Sequence, residues 1–345
     1  MPKQRENWVD IVKLFACFLV VSGHFFQSMT AGEIIEETIL TRWFDQTIYY
    51  FHVPLFFICS GYLFQKYTKV ESFGQWKNNA FKKFVSLGVP YFFFSSVTWL
   101  LKVLFSGAVN NKADGFLTSI FISPISPYWY LYALFFLFVI TPTITNTKMN
   151  IVVLAVAVVM KLLSFLPIEV NIYALSTVLD NEIWFVIGMT FCSFRLTDKI
   201  DYKKTNFVIG LLGLAFISFS FVLCCFSIHN AAISFIMGIL GCTVTVLIAL
   251  EIQNKNITVR INDRLAKYTL PVFLMHTIFA AALRSILLKI GITSDIIHIL
   301  SGLLISFSGP MIAFYVMNKI KYVDFIISPY KYINRNKGMK ECLKN

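Results

Sequence analysis

Charged residues are scarce in this sequence. Only 14% of the 345 residues are Asp, Glu, Lys or Arg, while 57% are hydrophobic and 17% are aromatic. Soluble globular domains carry about 25% charged residues. The shortage therefore excludes an ordinary soluble enzyme, and long apolar runs recur along the whole chain instead.

Cysteine motifs, linkers and repeats are also missing. The seven cysteines include no Cys-x-x-Cys pair, so we expect neither a disulfide framework nor a bound metal. There is no Gly/Ser-rich linker, no low-complexity block and no internal repeat. No small-residue cleavage site follows the first apolar stretch, which argues against a cleaved signal peptide. We expect one all-α domain over residues 1–345, without a bound cofactor.

The apolar runs predict a polytopic membrane protein with ten transmembrane helices. Each run is long enough to cross the hydrocarbon core of a bilayer. The predicted segments are 8–27, 47–65, 84–105, 128–146, 150–166, 174–194, 206–226, 231–250, 268–288 and 296–317.

The distribution of basic residues predicts the orientation. With a cytoplasmic N-terminus, 23 of the 30 Lys and Arg residues fall in segments that face the cytoplasm. This asymmetry is typical of membrane proteins. We therefore expect both termini in the cytoplasm, most naturally at a bacterial plasma membrane. The net charge of +12 then reflects topology and does not predict a nucleic-acid partner.

The first apolar segment contains ionisable residues. Asp10, Lys13 and His24 interrupt it, and the eleven steps from Lys13 to His24 return to within about 20° of the same helix face, roughly 16 Å further along the axis. Ionisable groups inside a span usually serve function. Asp10 and Lys13 are equally open to a simpler interpretation as side chains that extend to the headgroups. That interpretation does not apply to His24, near the far end of the segment.

Helix direction predicts two polar clusters at different depths. Lys13 is expected near the inner surface with the basic pair before the third segment, and His276 near the middle of the membrane. Each outer residue also has a simpler interpretation. His52 would be an interfacial residue at a helix start, and Trp129 and Tyr130 would be ordinary aromatic anchors. Asp180 and Glu182 would lie in a short outer loop. The inner pair is Lys82 and Lys83, and the residues expected near the depth of His24 are His52, Trp129, Tyr130, Asp180 and Glu182.

These two clusters favour group transfer across a membrane. An anionic, nucleotide-like donor would bind the inner basic residues and extend a long arm along the first helix. A neutral His24 would remove a proton from an acceptor hydroxyl, a role that suits imidazole because its pKa lies near the operating pH. A carboxylate beside it, from Asp180 or Glu182, would orient the ring.

Several segments resemble acyltransferase family 3 membrane proteins. Lys13, ten residues and His24 match the family's Arg/Lys-x10-His spacing, and Phe51 to Gln65 (FHVPLFFICSGYLFQ) is similar to its Phe-rich segment ending in Ser-Gly-Tyr. The segments PYWYLYALFFLFVITP and YTLPVFLMH are also similar to family segments. The resemblance extends over essentially the whole chain and includes the count of ten helices.

The resemblance implies O-acylation, usually O-acetylation, of a glycan or lipid-linked sugar, with acetyl-CoA as the cytoplasmic donor. It implies that His24 is catalytic and that Lys13 helps to hold the donor. The family's basic pair before the third helix is only half present, because Lys83 matches its first member and Ser86 replaces the second, so Lys82 is a candidate substitute. The expected acceptor-binding residues are His52, Ser60, Trp129, Tyr130 and His276.

Two other function classes fit parts of the sequence. A transporter or flippase of lipid-linked sugars would also use polar residues in its spans, but paired Gly/Pro-broken segments in two halves are not found. An intramembrane serine protease would use Ser60 and His276, but Ile58 stands where a GxSG-type motif needs glycine. The identity of the acceptor stays open, as does acetyl against a longer acyl group.

Overall fold

The computed structural model of this chain is α-helical. It describes residues 6–107, 110, 113–167, 170–255 and 264–333, and no β-strand occurs among them. We number the α-helices in chain order. They are α1 (Asn7–Ala31), α2 (Ile39–Tyr49), α3 (His52–Tyr67), α4 (Phe73–Lys83), α5 (Val89–Leu104), α6 (Trp129–Ile140), α7 (Thr147–Leu163), α8 (Tyr173–Ser193), α9 (Tyr202–Cys225), α10 (Ala231–Asn254), α11 (Thr269–Lys289) and α12 (Asp295–Met317).

Seven helical segments in the described part of the chain are long and apolar enough to cross a membrane, so the chain is a multi-pass membrane protein. Each of the ten predicted segments contains a helix, but the count of ten crossings stays a prediction. The seven segments are Asn7–Ala31, Ile39–Tyr67, Phe73–Leu104, Tyr202–Cys225, Ala231–Asn254, Ala266–Lys289 and Asp295–Met317.

Two helices form where the sequence analysis expected connecting segments. Helix α2 begins after Thr38, whose hydroxyl accepts a hydrogen bond from the Thr41 amide at 3.2 Å, and α4 begins after Ser72, which caps it through the Gln75 amide at 3.3 Å. Both are normal helix N-cap contacts. Helix α6 is shorter than predicted because Pro142 disfavours helical backbone at the preceding residue.

The described residues fall into two compact units. The first unit contains the described residues of Met1–Thr68, Thr143–Glu169 and Leu179–Thr269. In it, α1 packs against α2, α3 and α10, while α9 packs against α2 and α10. The expectation of one domain over the whole chain stays a prediction.

Two glycines let α3 and α8 approach each other closely in the first unit. A β-carbon at Gly61 would lie 1.9 Å from the carbonyl oxygen of Phe185, and one at Gly188 would lie 2.0 Å from that of Ile58. No side chain fits at such distances, and small residues are how membrane helices bring their backbones together. The crossing therefore requires glycine on both helices.

The second unit contains the described residues of Lys69–Pro142, Val170–Val178 and Leu270–Asn345. A π-helical turn, Phe84–Gly88, joins α4 to α5, and α4 packs against α6. The hydroxyl of Tyr91 on α5 donates to the carbonyl of Ile120 at 2.5 Å. Helix α5 also contacts the short turn Val323–Ile326 that follows α12.

Candidate active site

Helix α1 carries both residues of the Lys13–His24 pair on one continuous helix, Asn7–Ala31. Both side chains are partly buried, whereas Phe15 and Phe18 on another face are exposed. In a membrane protein such exposed phenylalanines are expected to face lipid. The pair thus lies on the packed side of α1, as expected for ionisable residues within a span.

The ring of Tyr49 lies between two imidazoles at the carboxyl-terminal end of α1. Its centroid is 6.5 Å from that of His24 and 4.6 Å from that of His52, with interplanar angles of 88° and 79°. The three rings come from α1, α2 and the first residue of α3. The structure therefore places His24 and His52 around one aromatic side chain. Their predicted depth in the membrane stays a prediction.

A carboxylate joins this group through an amide. The Tyr49 hydroxyl donates to Gln27 Oε1 at 2.8 Å, and Gln27 Nε2 donates to Asp45 Oδ2 at 3.0 Å. Gln27 is one helical turn beyond His24 on α1, and Asp45 is one turn before Tyr49 on α2. We call His24, Gln27, Asp45, Tyr49 and His52 the imidazole cluster.

His52 is held firmly by the end of the preceding helix. It is 2% exposed, and its Nδ1 lies 2.6 Å from the carbonyl oxygen of Ile48. A carbonyl oxygen can only accept, so Nδ1 donates, and this contact fixes the ring orientation. His52 therefore joins the last turn of α2 to the start of α3.

Contacts with α1 and α9 fix the position of α2. A β-carbon at Gly23 would come within 2.7 Å of Ile48 Cδ1, so the small residue before His24 admits α2. On the other side, Trp43 Nε1 donates to the hydroxyl of Ser220 at 2.9 Å, and Ser220 is fully buried. Asp45 and Tyr49 are thus carried by a helix anchored on two sides.

The two acidic residues predicted on α8 differ in environment. The Asp180 carboxylate, whose side chain is 53% exposed, accepts from Lys161 Nζ at 3.2 Å in an ion pair with α7. Glu182 is 5% exposed. Of the two, Glu182 has the burial expected of a carboxylate that orients a catalytic group, while the charge of Asp180 is engaged by Lys161.

The predicted inner basic residues Lys82 and Lys83 end α4 in the second unit, and both are partly buried. Lys83 Nζ lies 3.5 Å from the ring centroid of Phe138 on α6, a cation–π contact. Their predicted role in donor binding stays a prediction.

The remaining predicted acceptor residues of the second unit lie on α6 and α11. Trp129 begins α6, and buried Tyr130 packs edge-on against Phe273 at 5.7 Å between ring centroids. Buried His276 lies one turn beyond Phe273, and its Nδ1 bonds to the carbonyl oxygens of Val272 and Phe273 at 3.1 and 2.9 Å. Tyr130 and His276 thus flank the same phenylalanine.

The Ser-Gly-Tyr segment of α3 has a packing function. Gly61 admits α8, and Tyr62 packs edge-on against Trp8 at 4.8 Å between ring centroids. Ser60 is 8% exposed, and its predicted contact with the acceptor stays a prediction.

A second polar network lies at the amino-terminal end of α1. The Glu6 carboxylate accepts from the hydroxyls of Tyr62 at 3.4 Å and Tyr67 at 3.2 Å, and it forms an ion pair with Lys66. We call these four residues the Glu6 network. Beside this network, the main-chain N–H of Trp8 donates to Gln253 Oε1 at 2.8 Å. A polar cavity of about 400 Å³ opens between the Glu6 network and Gln253.

Sequence reasoning did not identify Gln27, Asp45 or Tyr49. The available signal was the capping pattern of Thr38 and Thr41, which predicts a helix start. In that helix Asp45 and Tyr49 are four residues apart and so share a face. Gln27 gave no comparable signal, because an uncharged amide near a helix end is common.

Comparisons with known proteins identify the family of this chain. The family model described as an acyltransferase domain matches residues 6–315. The nodulation protein NolL of Mesorhizobium japonicum is 26% identical over 169 residues, which cover 49% of this chain and 43% of NolL. The match thus spans less than half of that relative. No solved structure matches the chain.

Proposed function

This chain belongs to the acyltransferase family 3, and from that membership we propose that it is a membrane O-acyltransferase. It would move an acyl group, most simply acetyl, from acetyl-CoA to a hydroxyl of a cell-surface or lipid-linked glycan. The observation that supports the chemistry is the position of His24, partly accessible and beside Tyr49 and His52. Imidazole is the usual general base for hydroxyl groups at neutral pH.

The proposed reaction is one acyl transfer. His24 takes the proton of the acceptor hydroxyl as its oxygen attacks the acyl carbonyl carbon. The new C–O bond forms, the C–S bond of acetyl-CoA breaks, and the proton passes to the departing thiolate. Lys13, Lys82 and Lys83 are proposed to hold the anionic donor, and Glu182 or Asp180 to orient His24.

The topology is part of this proposal. Ten crossings with both termini in the cytoplasm would put Lys13 on the donor side and His24 near the opposite surface. The observation behind it is the concentration of Lys and Arg in alternate connecting segments. A bacterial plasma membrane is the proposed location, with the bilayer and the two substrates as partners.

The residues that we propose for acceptor binding are His52, Ser60, Trp129, Tyr130 and His276. Aromatic side chains and hydroxyl or imidazole groups suit a sugar, which has apolar faces and many hydroxyls. The family match gives no support to the transporter alternative.

Mass spectrometry of surface glycans tests the proposal directly. Glycans from cells with the gene should contain species heavier by one acetyl group, and these should be absent from cells without it. A mass difference of another acyl group would correct the donor. Identical glycans and glycolipids in both strains, with the protein present in the membrane, would contradict the proposed function.

A further inference from the structure

The imidazole cluster contains a hydrogen-bond chain whose direction is fixed. Asp45 in its ionised form only accepts, so Gln27 must present its Nε2 donors to Asp45 and its oxygen to Tyr49. Tyr49 must then donate its single hydroxyl proton to Gln27 Oε1, at 2.8 Å. The lone pairs of the Tyr49 oxygen are left to accept from another donor.

We propose that Tyr49 accepts a hydrogen bond from a hydroxyl of the acceptor sugar that neighbours the one acylated, and that Asp45 and Gln27 are positioning residues for Tyr49. This inference rests on the proposed acyltransferase function. Tyr49 is 40% exposed and Gln27 is exposed, so a substrate can reach the phenol oxygen. The same ring lies edge-on to His24, the proposed base, which places the binding group beside the group that takes the proton.

The incomplete hydrogen bonding of the Asp45 carboxylate supports a functional role. Its Oδ2 accepts from Gln27, but its Oδ1 is buried and forms no hydrogen bond within the described residues. A buried carboxylate oxygen without a partner is costly for folding. A residue kept for stability alone would be expected to satisfy both oxygens, as Glu6 does.

Neighbouring contacts also hold the helices that carry this hydrogen-bond chain. Trp43 anchors α2 to Ser220 on one side of Asp45, and His52 binds the Ile48 carbonyl next to Tyr49. Each link comes from a helix, which favours precise placement over placement on loops.

The residue that follows α2 supplies a matched control. Tyr50, the neighbour of Tyr49, accepts a hydrogen bond from Gln46 Nε2 at 2.8 Å, so Tyr50→Phe removes a similar Gln–Tyr contact outside the imidazole cluster. Tyr49→Phe deletes one oxygen from the last residue of α2, and Tyr50→Phe deletes one from the residue that follows it. A general effect on α2 would appear in both variants.

The experiment measures acyl transfer by full-length protein in detergent, with labelled acetyl-CoA as the donor. The acceptor probe is alkali-deacylated surface glycan from cells lacking the gene, in graded amounts. Tyr49→Phe should raise the apparent KM for glycan about three- to tenfold, the range for one lost hydrogen bond, and leave the KM for acetyl-CoA unchanged. Tyr50→Phe should change neither value.

Asp45 variants test the positioning role. Asp45→Asn keeps an oxygen that can accept from Gln27 and should raise the glycan KM less than Asp45→Leu, which keeps none. Equal glycan KM values for the Tyr49→Phe and Tyr50→Phe proteins would overturn the inference while wild-type transfer upheld the proposed function. If wild-type protein transfers no acyl group, the proposed function fails and the inference with it.

Discussion

The two ends of helix α1 both carry a polar network, but the networks use their hydrogen-bonding groups to different extents. In the Glu6 network two phenols and one ammonium group converge on a single carboxylate. In the imidazole cluster one amide reaches Asp45, whose second oxygen lacks a partner among the described residues. Satisfied networks stabilise a fold, whereas a buried group that lacks a partner calls for a functional explanation.

Helix α3 connects the two networks. It begins at His52, in the imidazole cluster, and ends at Tyr67, in the Glu6 network. Its crossing with α8 near its middle therefore sets the position of both. A substitution at this crossing is expected to disturb both polar networks, whereas a substitution in one network is expected to leave the other unchanged.

The largest expected effect comes from breaking the crossing. Gly61→Ala and Gly188→Ala would each force a methyl group to within about 2 Å of a backbone carbonyl oxygen, so α3 and α8 must separate. We expect little folded protein in the membrane, measured by size-exclusion chromatography of a fluorescent fusion. Gly210→Ala on α9, where no atom lies within 4 Å of the added carbon, is the control and should accumulate normally.

A smaller effect is expected from Lys13, which lies between the two networks. Lys13→Ala should raise the KM for acetyl-CoA roughly ten- to hundredfold, the range for a lost hydrogen bond to a charged group. Lys13→Arg keeps the charge and should be affected less. Donor titrations with solubilised protein measure both. Wild-type donor kinetics in Lys13→Ala would leave Lys13 as an anchor to the headgroups.

The smallest effect is expected at the Glu6 network. Glu6→Gln removes the charge that attracts Lys66, whose side chain is 37% exposed, so it should lower the free energy of unfolding by only about 1 kcal/mol. Thermal unfolding in detergent measures this as a small fall in Tm. Arg42→Met removes an ion pair with Glu37 in which the two side chains are 49% and 51% exposed, and it should have a smaller effect still. A Glu6→Gln protein as stable as wild type would contradict the stabilising role that we assign to the Glu6 network.

The parts of the fold that could be predicted from sequence are those with strong local signals. Long apolar runs gave the positions of the bilayer-length helices, and helical periodicity placed Lys13 and His24 on one face of α1. Helix α2 was missed because Ile39–Tyr49 is short and partly polar, and was interpreted as part of a loop before a longer apolar segment.

Only part of the candidate site could be predicted from sequence, because only some of its residues have a strong local signal. His24 and His52 were recognisable because ionisable residues in spans are rare. Asp45 acts through a contact between α1 and α2 that depends on Gly23 and Trp43, and no local pattern encodes that contact. The Ser-Gly-Tyr segment was recognised by resemblance, but the need for glycine at Gly61 became clear only with Phe185 opposite it.

We propose that the chemistry takes place at the carboxyl-terminal end of α1, with His24 as the base. The direct test is the rate of acyl transfer per folded molecule for His24→Gln and Glu6→Gln, with wild type as reference. Glutamine keeps hydrogen bonding but cannot take up a proton at neutral pH, so His24→Gln should lose about 10²–10⁴-fold in rate with an unchanged Tm. Glu6→Gln should transfer acyl groups at nearly the wild-type rate. A His24→Gln protein that retains more than about a tenth of the wild-type rate would contradict the account.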